Sequence, residues 1–256
     1  MLPTLLLLYL GFTLHLSGQQ AESDRKAFER TKASAEKGDA EAQYELGLLY
    51  ANGTGVSRDR SKSAKWMRKA ADQGHAHAQY QLGWDYTTGE GVKTNLTEAA
   101  TWIRLAAEQG LIEAQFDMGL RCLNGRGVEA SGAEAVVWFR KAAAQGSAPA
   151  EYEIGICYFE GTGVSRSIEE GIKWIRTAAE RGFAAAQDKF ALCYERGEGV
   201  PKDYVQAYKW YALAAAQDDQ HALDIKVSLA KVESHLSKEQ VAEAQRLAHD
   251  FIKKPK

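Results

Sequence analysis

The sequence predicts an all-α solenoid built from short helix pairs. Three observations support this: the chain matches itself at an offset of 36 residues, alanine recurs in pairs such as Ala70-Ala71, and only 4 of 256 residues are proline. The offset is clearest in five tryptophans: Trp66, Trp102, Trp138, Trp174 and Trp210. A fixed period of this length is typical of proteins whose repeats pack on their neighbours.

The first eighteen residues differ from the rest of the chain. A largely apolar run from Leu2 to Leu16 is followed by Ser17 and Gly18. Because this run is too short to span a bilayer comfortably, residues 1–18 are predicted to be a cleaved secretory signal. The protein would then be exported and periplasmic or extracellular. The segment has no lysine or arginine, so an uncleaved membrane anchor or a hydrophobic first helix is the alternative.

Residues 19–39 are predicted to form a half repeat. Ala27, Ala35 and Gly38 fall where the second half of a repeat places alanine, alanine and glycine. Five complete repeats follow over residues 40–219, and the first opens with AEAQYELG. The repeats begin at equivalent positions: Ala40, Ala76, Ile112, Ala148 and Ala184.

Each repeat divides into two predicted helices, which we call helix A and helix B. In helix A of the first repeat, Leu46, Gly47 and Tyr50 share one face, because residues three and four apart lie together on a helix. Glycine costs about 1 kcal/mol of helix propensity relative to alanine, which indicates close approach of a neighbouring backbone. Helix B has the same spacing, begins before Ala64 and ends at Gly74.

A GxGV motif joins the two helices and reads Gly53-Thr54-Gly55-Val56 in the first repeat. A phosphate-binding loop requires GxxxxGK[ST] after a strand or GxGxxG in a βαβ unit, and neither pattern occurs in the sequence. The glycines are instead expected to permit positive φ angles in a short reversal. A preferred helix N-cap residue follows in every repeat: Asp59, Asn95, Ser131, Ser167 and Asp203.

Residues 220–256 depart from the repeat and are predicted to form capping helices. Ser237 and Gln240 make a capping box, which predicts a helix from about Lys238 to Ile252. This helix would cover the exposed face of the last repeat. Its expected inward side chains are Val241, Ala244, Leu247, Ala248 and Phe251.

The overall charge favours neither nucleic acid nor a membrane as a partner. With 32 basic and 34 acidic residues the net charge is −2, so no overall field attracts nucleic acid or an anionic membrane. One arginine recurs late in helix B of the first four repeats, where it suits the helix dipole and keeps the surface soluble; nucleic-acid binding is the weaker alternative. These arginines are Arg68, Arg104, Arg140 and Arg176.

No convincing catalytic or metal-binding set occurs in the sequence. His75 and His77 have no further ligand at suitable spacing, so we expect neither a metal nor another cofactor. Ser23 and Lys26 match a Ser-x-x-Lys pattern, but its usual companion motifs are absent from the sequence. The odd number of cysteines argues against a disulfide framework, so Cys122, Cys157 and Cys193 are expected to be small core residues or free thiols.

The complete pattern AxAQxxLGxxYxxGxGVxxDxxxAxxWxxKAAxQG resembles the SEL-one-like repeat (SLR) family, a relative of tetratricopeptide repeats, over residues of about 23 to 219. The resemblance implies a right-handed α-solenoid of antiparallel helix pairs, with helix A on the concave surface and helix B outside. It also implies an adaptor or scaffold without catalysis. Departures are Cys122 for tyrosine in the third repeat, and Ala191 and Asp218 for two glycines in the fifth.

The candidate binding site lies on the side of helix A opposite the core stripe, which we call the helix A face. A rotation of 100° per residue assigns apolar and aromatic side chains to it. They are Tyr44, Leu48, Tyr80, Trp84, Phe116, Leu120, Tyr152, Ile156 and Phe159. One interpretation is packing on the next repeat. The other is a groove for an extended peptide or a helix, with Trp84 as its anchor.

Carboxylates beside the helix A face favour a basic ligand, although a solvated helix surface would carry the same charges. They are Glu41, Glu45, Asp85, Glu113, Asp117 and Glu153. The sequence therefore predicts an exported, monomeric scaffold that binds a protein or peptide, with no nucleic acid, metal or cofactor. The alternative is a hydrolase acting on a cell-wall or antibiotic-like amide.

Overall fold

The computed structural model describes residues 2–217 and 222–253, with side chains from residue 19 onwards except that of residue 222. This part of the chain forms thirteen α-helices and no strand. The helices are α1 Leu2–Glu36, α2 Ala40–Asn52, α3 Arg60–Asp72, α4 Ala76–Thr88, α5 Leu96–Glu108, α6 Ile112–Asn124, α7 Gly132–Ala144, α8 Ala148–Glu160, α9 Ile168–Glu180, α10 Ala184–Arg196, α11 Tyr204–Ala215, α12 Ala222–Glu233 and α13 Lys238–Lys253. The predicted all-α fold is confirmed.

The chain divides within α6 into two compact units. The N-terminal unit runs up to Arg121 and includes Gly125–Glu129, and the C-terminal unit contains Cys122–Asn124 and continues from Ala130. In the N-terminal unit, α1 packs on α2, α2 on α3, α3 on α4 and α4 on α5. In the C-terminal unit, α7 to α11 pack in the same consecutive manner, and both α12 and α13 pack on α11. Consecutive helix pairing is what the 36-residue period predicts.

The first helix joins the predicted signal segment to the half repeat. Its second part contributes Phe28 and Ala35 to a core cluster with Leu46 and Tyr50 of α2. The Phe28 and Tyr50 rings meet edge to face with 5.4 Å between their centroids. This part of α1 therefore packs as helix B of a preceding repeat would. Among the described residues, no helix combines the length and the apolar character needed to cross a membrane.

The GxGV turns fix how each repeat meets the one before it. Gly91, the second glycine of its turn, has a φ of +73°, and a Cβ atom there would clash with the main-chain carbonyl of Arg60 at the start of α3. The N-cap predictions are confirmed in all five repeats, since the side chain at each position accepts a bond from a main-chain amide of helix B. The turns are therefore structural connections, as the sequence indicates.

The glycine within helix A allows helix B to approach closely, as expected. A Cβ atom on Gly83 would lie 2.5 Å from Cγ1 of Ile103 and 3.0 Å from the main-chain oxygen of Ala99. Both of these residues belong to α5, the partner of α4 in its repeat. Glycine thus lowers the helix propensity of helix A but allows tight packing between the two helices.

A buried glutamine ties consecutive repeats together. The Gln79 side-chain amide donates to the Ala71 carbonyl at 3.1 Å, and its oxygen accepts a bond of 2.7 Å from the Gln109 side chain. The fourth repeat has Glu151 at this position. Its Oε1 accepts a bond of 3.0 Å from Nε of Arg181, while its buried Oε2 has no hydrogen-bond partner in the described part of the chain.

The recurring arginine of helix B serves a structural role beyond solubility. The Arg68 guanidinium lies 5.1 Å from the centre of the Trp102 ring and donates to the Tyr86 hydroxyl, so it bridges two repeats. In the C-terminal unit, Arg140 donates in the same way to the hydroxyl of Tyr158 at 2.8 Å. Both arginines thus bond a tyrosine of the following repeat, and Arg68 also lies over an aromatic ring there.

The C-terminal helices cover the last repeat. The predicted capping box is confirmed. The main-chain amide of Gln240 donates to Oγ of Ser237 at 3.3 Å, and the main-chain amide of Ser237 donates to Oε1 of Gln240 at 2.9 Å. Of the predicted inward residues, Ala244 and Ala248 are buried and the other three are partly buried. The ring of Phe251 meets that of Trp210 at 5.2 Å. The predicted change at Asp218 lies outside the described residues.

Candidate functional site

The first part of the helix A face lies on α2. Tyr44 and Leu48 are half-buried and pack against a cluster that includes Met67 and Leu82. The Tyr44 ring also stacks on the imidazole of His75, with 4.6 Å between centroids and 25° between planes. Both interpretations of these positions therefore apply in part: each side chain packs on the next repeat and keeps an open side.

The aromatic pair on α4 is the most open part of the helix A face in the N-terminal unit. Trp84 is 39% exposed, and its ring meets that of the half-buried Tyr80 edge to face at 6.5 Å. Burial raises the pKa of Tyr80, and the nearby carboxylates of Asp117 and Glu113 raise it further. An indole next to a phenol and two acidic residues forms an amphipathic surface patch.

The remaining predicted residue positions of this unit lie on α6. Phe116 and Leu120 are both half-buried. Trp84 lies on α4 and these two residues lie on α6, so two consecutive A helices carry apolar or aromatic side chains on this face. The sequence interpretation thus identifies residues that the described structure leaves partly accessible.

The C-terminal unit carries the same face on α8, with one difference. Tyr152 and Ile156 are half-buried, and the Tyr152 ring meets that of Phe183 at 5.5 Å. Phe159 is only 7% exposed and belongs to the core, contrary to its predicted place on the open surface. The reason is Gly171 on α9: a Cβ atom there would lie 2.6 Å from the Phe159 ring, so the missing side chain makes room for it.

Of the predicted acidic neighbours, Asp85 is buried and Asp117 is half-buried. Asp85 is 5% exposed and accepts a bond of 3.1 Å from the Gln81 side chain, and burial raises its pKa to about 6. Asp117 accepts a bond of 3.1 Å from Nε of Arg121, and its buried Oδ2 has no hydrogen-bond partner among the described residues. These two carboxylates therefore offer less charge to a ligand than the sequence suggests.

Arg121 is a buried cation that the sequence interpretation missed. It is 1% exposed and also donates to Oγ1 of Thr87 at 2.6 Å and to the Arg126 carbonyl at 3.4 Å. The available signal was its position four residues after Asp117, a spacing that pairs charges along a helix. This pair leaves Glu113 as the exposed carboxylate on α6.

The remaining acidic residues differ in exposure. Glu41 and Glu45 are exposed on α2, and Glu41 lies 2.9 Å from Nε2 of His75. Glu153 on α8 is half-buried, and burial raises its pKa, with Glu160 adding to the effect. Exposed negative charge on the helix A face is therefore concentrated at the N-terminal repeats and at Glu113.

The residues considered for chemistry have structural partners. Nδ1 of His75 accepts a bond of 3.1 Å from the Ala78 amide and so caps α4, and no group of three potential metal ligands occurs within the described residues. Lys26 of the Ser-x-x-Lys pattern pairs with Glu22 at 2.7 Å. The three cysteines are buried, and burial raises the pKa of Cys157 to about 11, which disfavours the reactive thiolate.

Consecutive helix pairs with glycine turns, a shared core position every 36 residues and an open helix A face define an α-helical repeat protein. The family model described as Sel1 repeat matches residues 40–75, 76–111, 112–147, 148–183 and 184–219. The chain therefore belongs to the Sel1 repeat family. Proteins with this fold commonly act as protein–protein interaction scaffolds and are typically not enzymes.

Solved structures of bacterial proteins show the same fold. A protective antigen of uropathogenic Escherichia coli with an SLR fold is 35% identical, with a TM-score of 0.79 over 90% of this chain and 48% of its own. This chain thus spans about half the length of that antigen. A Sel1 repeat protein from Oxalobacter formigenes is 29% identical, with a TM-score of 0.78 over 94% and 96% of the two chains. A comparison with curated proteins found no match.

Proposed function

We propose that this protein is an interaction scaffold that binds another protein or a peptide along the helix A face, without a catalytic step. The observation that carries the proposal is the row of apolar side chains that the packing of the repeats leaves partly open. It is most pronounced at Trp84, which is 39% exposed beside Tyr80. Exposed aromatic residues in a polar surrounding are typical anchors for protein partners.

The charge of the helix A face supports a basic partner. Within the N-terminal unit, Glu41, Glu45 and Glu113 are exposed on helices whose sequences contain no lysine. Their arginine, Arg121, is buried and bonded to Asp117. A ligand with lysine or arginine would therefore meet uncompensated negative charge, which increases the rate of association and selects against acidic partners.

We further infer that the protein is exported and acts as a monomer in the periplasm or outside the cell. The apolar run of residues 1–18 supports export. The packing of α12 and α13 on the last repeat supports a monomer, because it covers a surface that could otherwise stack on another chain. Mass spectrometry of the protein from its native host distinguishes a cleaved signal from an anchor.

Peptide selection followed by mapping tests the binding site. Random dodecapeptides would be selected on the immobilised full chain, and backbone hydrogen exchange of the complexes would be measured by mass spectrometry. We expect protection in α2, α4 and α6 and none in α3 and α5. Protection confined to helix B, or the failure of repeated selections to yield a peptide, would contradict the proposal.

A further inference from the structure

Tryptophans on helix B lie beneath cations of this same chain. In the contacts that follow, the cation is within 6 Å of the ring centre, the range in which it is attracted by the ring quadrupole. Lys69 lies over Trp66 at 3.9 Å, Arg68 over Trp102 at 5.1 Å, Lys141 over Trp138 at 3.8 Å and Lys209 over Trp210 at 4.2 Å. The protein thus covers the open faces of these indoles with its own basic side chains.

Trp84 differs from these tryptophans in both position and surroundings. It lies on helix A instead of helix B, it is 39% exposed, and its aromatic contact is the edge-to-face pair with Tyr80. Across the described residues no lysine or arginine lies over its ring. The nearest sequence segments offer none either, because α4 contains neither lysine nor arginine. The ring is therefore an open cation acceptor.

The charges around Trp84 favour a cation over an anion. Glu113 is exposed, and its carboxylate acts with that of Asp117 on the hydroxyl of Tyr80, the ring neighbour of Trp84. The guanidinium of Arg121 compensates Asp117, to which it is bonded, so that Glu113 supplies the net negative charge. A bound cation could contact the indole face and still pair with this carboxylate.

We infer that Trp84 holds a lysine or arginine side chain of the bound partner through a cation–π contact, with Glu113 as the acidic neighbour of that cation. This inference rests on the proposed function and names the chemistry of the segment that binds. Arginine fits better than lysine, because its planar guanidinium stacks on an aromatic ring while its hydrogen atoms remain available to a carboxylate. The partner is thus a basic peptide segment.

The test uses peptides selected on the full chain and measures their affinities by fluorescence anisotropy. Each arginine of a selected peptide is replaced in turn by citrulline, which keeps the shape and removes the charge. The protein variants are Trp84→Leu, which keeps an apolar side chain, and Leu105→Ala as a matched control, because Leu105 is 38% exposed on helix B. Far-UV circular dichroism verifies that each variant is folded.

One citrulline position should weaken binding to the unchanged protein about tenfold, and Trp84→Leu should weaken binding of the original peptide by a similar factor. The two changes together should cost less than the sum of the two separate losses, because both remove the same cation–π contact. Leu105→Ala should leave the affinity unchanged.

Several outcomes would overturn the inference and leave the proposed function standing. They are selected peptides that protect the helix A face but lack lysine and arginine, or losses from citrulline and Trp84→Leu that simply add. Concentration-dependent dimerisation that Trp84→Leu abolishes would assign the face to a second copy of the chain. The absence of any protected peptide on the helix A face would instead refute the proposed function, and this inference with it.

Discussion

Replacing Glu151 with glutamine should stabilise the C-terminal unit at neutral pH. At the equivalent position of the fifth repeat, the Gln187 side-chain amide donates to the Ala179 carbonyl at 3.1 Å, and the other glutamines at this position make the same bond eight residues back. An ionised Glu151 cannot donate, and its buried Oε2 lacks a hydrogen-bond partner in the described structure. Glu151→Gln restores a donor, and its acceptor would be the main-chain carbonyl of Ala143, eight residues earlier in the sequence.

The expected gain is the difference between two effects of opposite sign. Satisfying a buried polar group that lacks a partner stabilises by about 2 kcal/mol. Losing the charge on Glu151 weakens its pair with Arg181, whose side chain is 51% exposed, so that this loss is at most about 1 kcal/mol. The net gain is about 1 kcal/mol, which corresponds to a rise of roughly 2–4 °C in the unfolding midpoint for a chain of this size.

The gain should depend on pH in a defined direction. Burial raises the pKa of Glu151 above its ordinary value of 4.5, so the folded protein holds this proton more strongly than the unfolded chain does. The penalty of the glutamate is therefore absent below the unfolded pKa and grows as the pH rises through the folded pKa. The advantage of Glu151→Gln should therefore be larger at pH 7 than at pH 4.

Thermal unfolding followed by far-UV circular dichroism at pH 4 and pH 7 measures both effects. The reverse change, Gln187→Glu, is the matched control and should lower the midpoint at pH 7 more than at pH 4. An unchanged or lower midpoint for Glu151→Gln at pH 7 would refute the reasoning, because the buried oxygen would then carry no penalty.

Three further predictions concern stability and use the same thermal assay. Gly91→Ala should lower the midpoint far more than Gly74→Ala, because both have positive φ but only Gly91 faces a main-chain carbonyl; equal losses would show that strain alone matters. Asn95→Ala should lower the free energy of unfolding by about 1 kcal/mol, because the Asn95 side chain accepts a bond of 3.1 Å from a main-chain amide of α5. An unchanged unfolding midpoint would show that this cap does not stabilise the protein. Burial raises the pKa of Asp85 from 3.8 to about 6 in the folded protein. The stability of the unchanged protein should therefore fall as the pH rises from about 4 to about 6. Asp85→Asn should reduce this fall, and an identical pH profile would contradict the assignment.

The sequence predicted what depends on local pattern and failed where two helices must be considered together. The N-cap at Asn95 and the capping box at Ser237 follow from short-range spacing, and both are present. The burial of Phe159 depends on Gly171, twelve residues later, where three other repeats have alanine at the equivalent positions 99, 135 and 207. Arg68 was placed on a soluble surface, because its aromatic partners belong to the next repeat.

The contact made by the second glycine of each turn bears on how such a chain can grow. In the first turn this glycine meets the main chain of Asp24 within α1, and in the next three turns it meets that of the first residue of the preceding helix B, which is Arg60, Leu96 or Gly132. In the fifth turn, Gly199 instead meets the side chains of Ile168 and Ile172. At these first four turns an acid, a base, an aliphatic residue and a glycine thus serve equally well, because the glycine contacts the main chain. Gene duplication could therefore insert or remove whole repeats without any compensating substitution at this junction, which leaves the helix A face free to diversify for different partners.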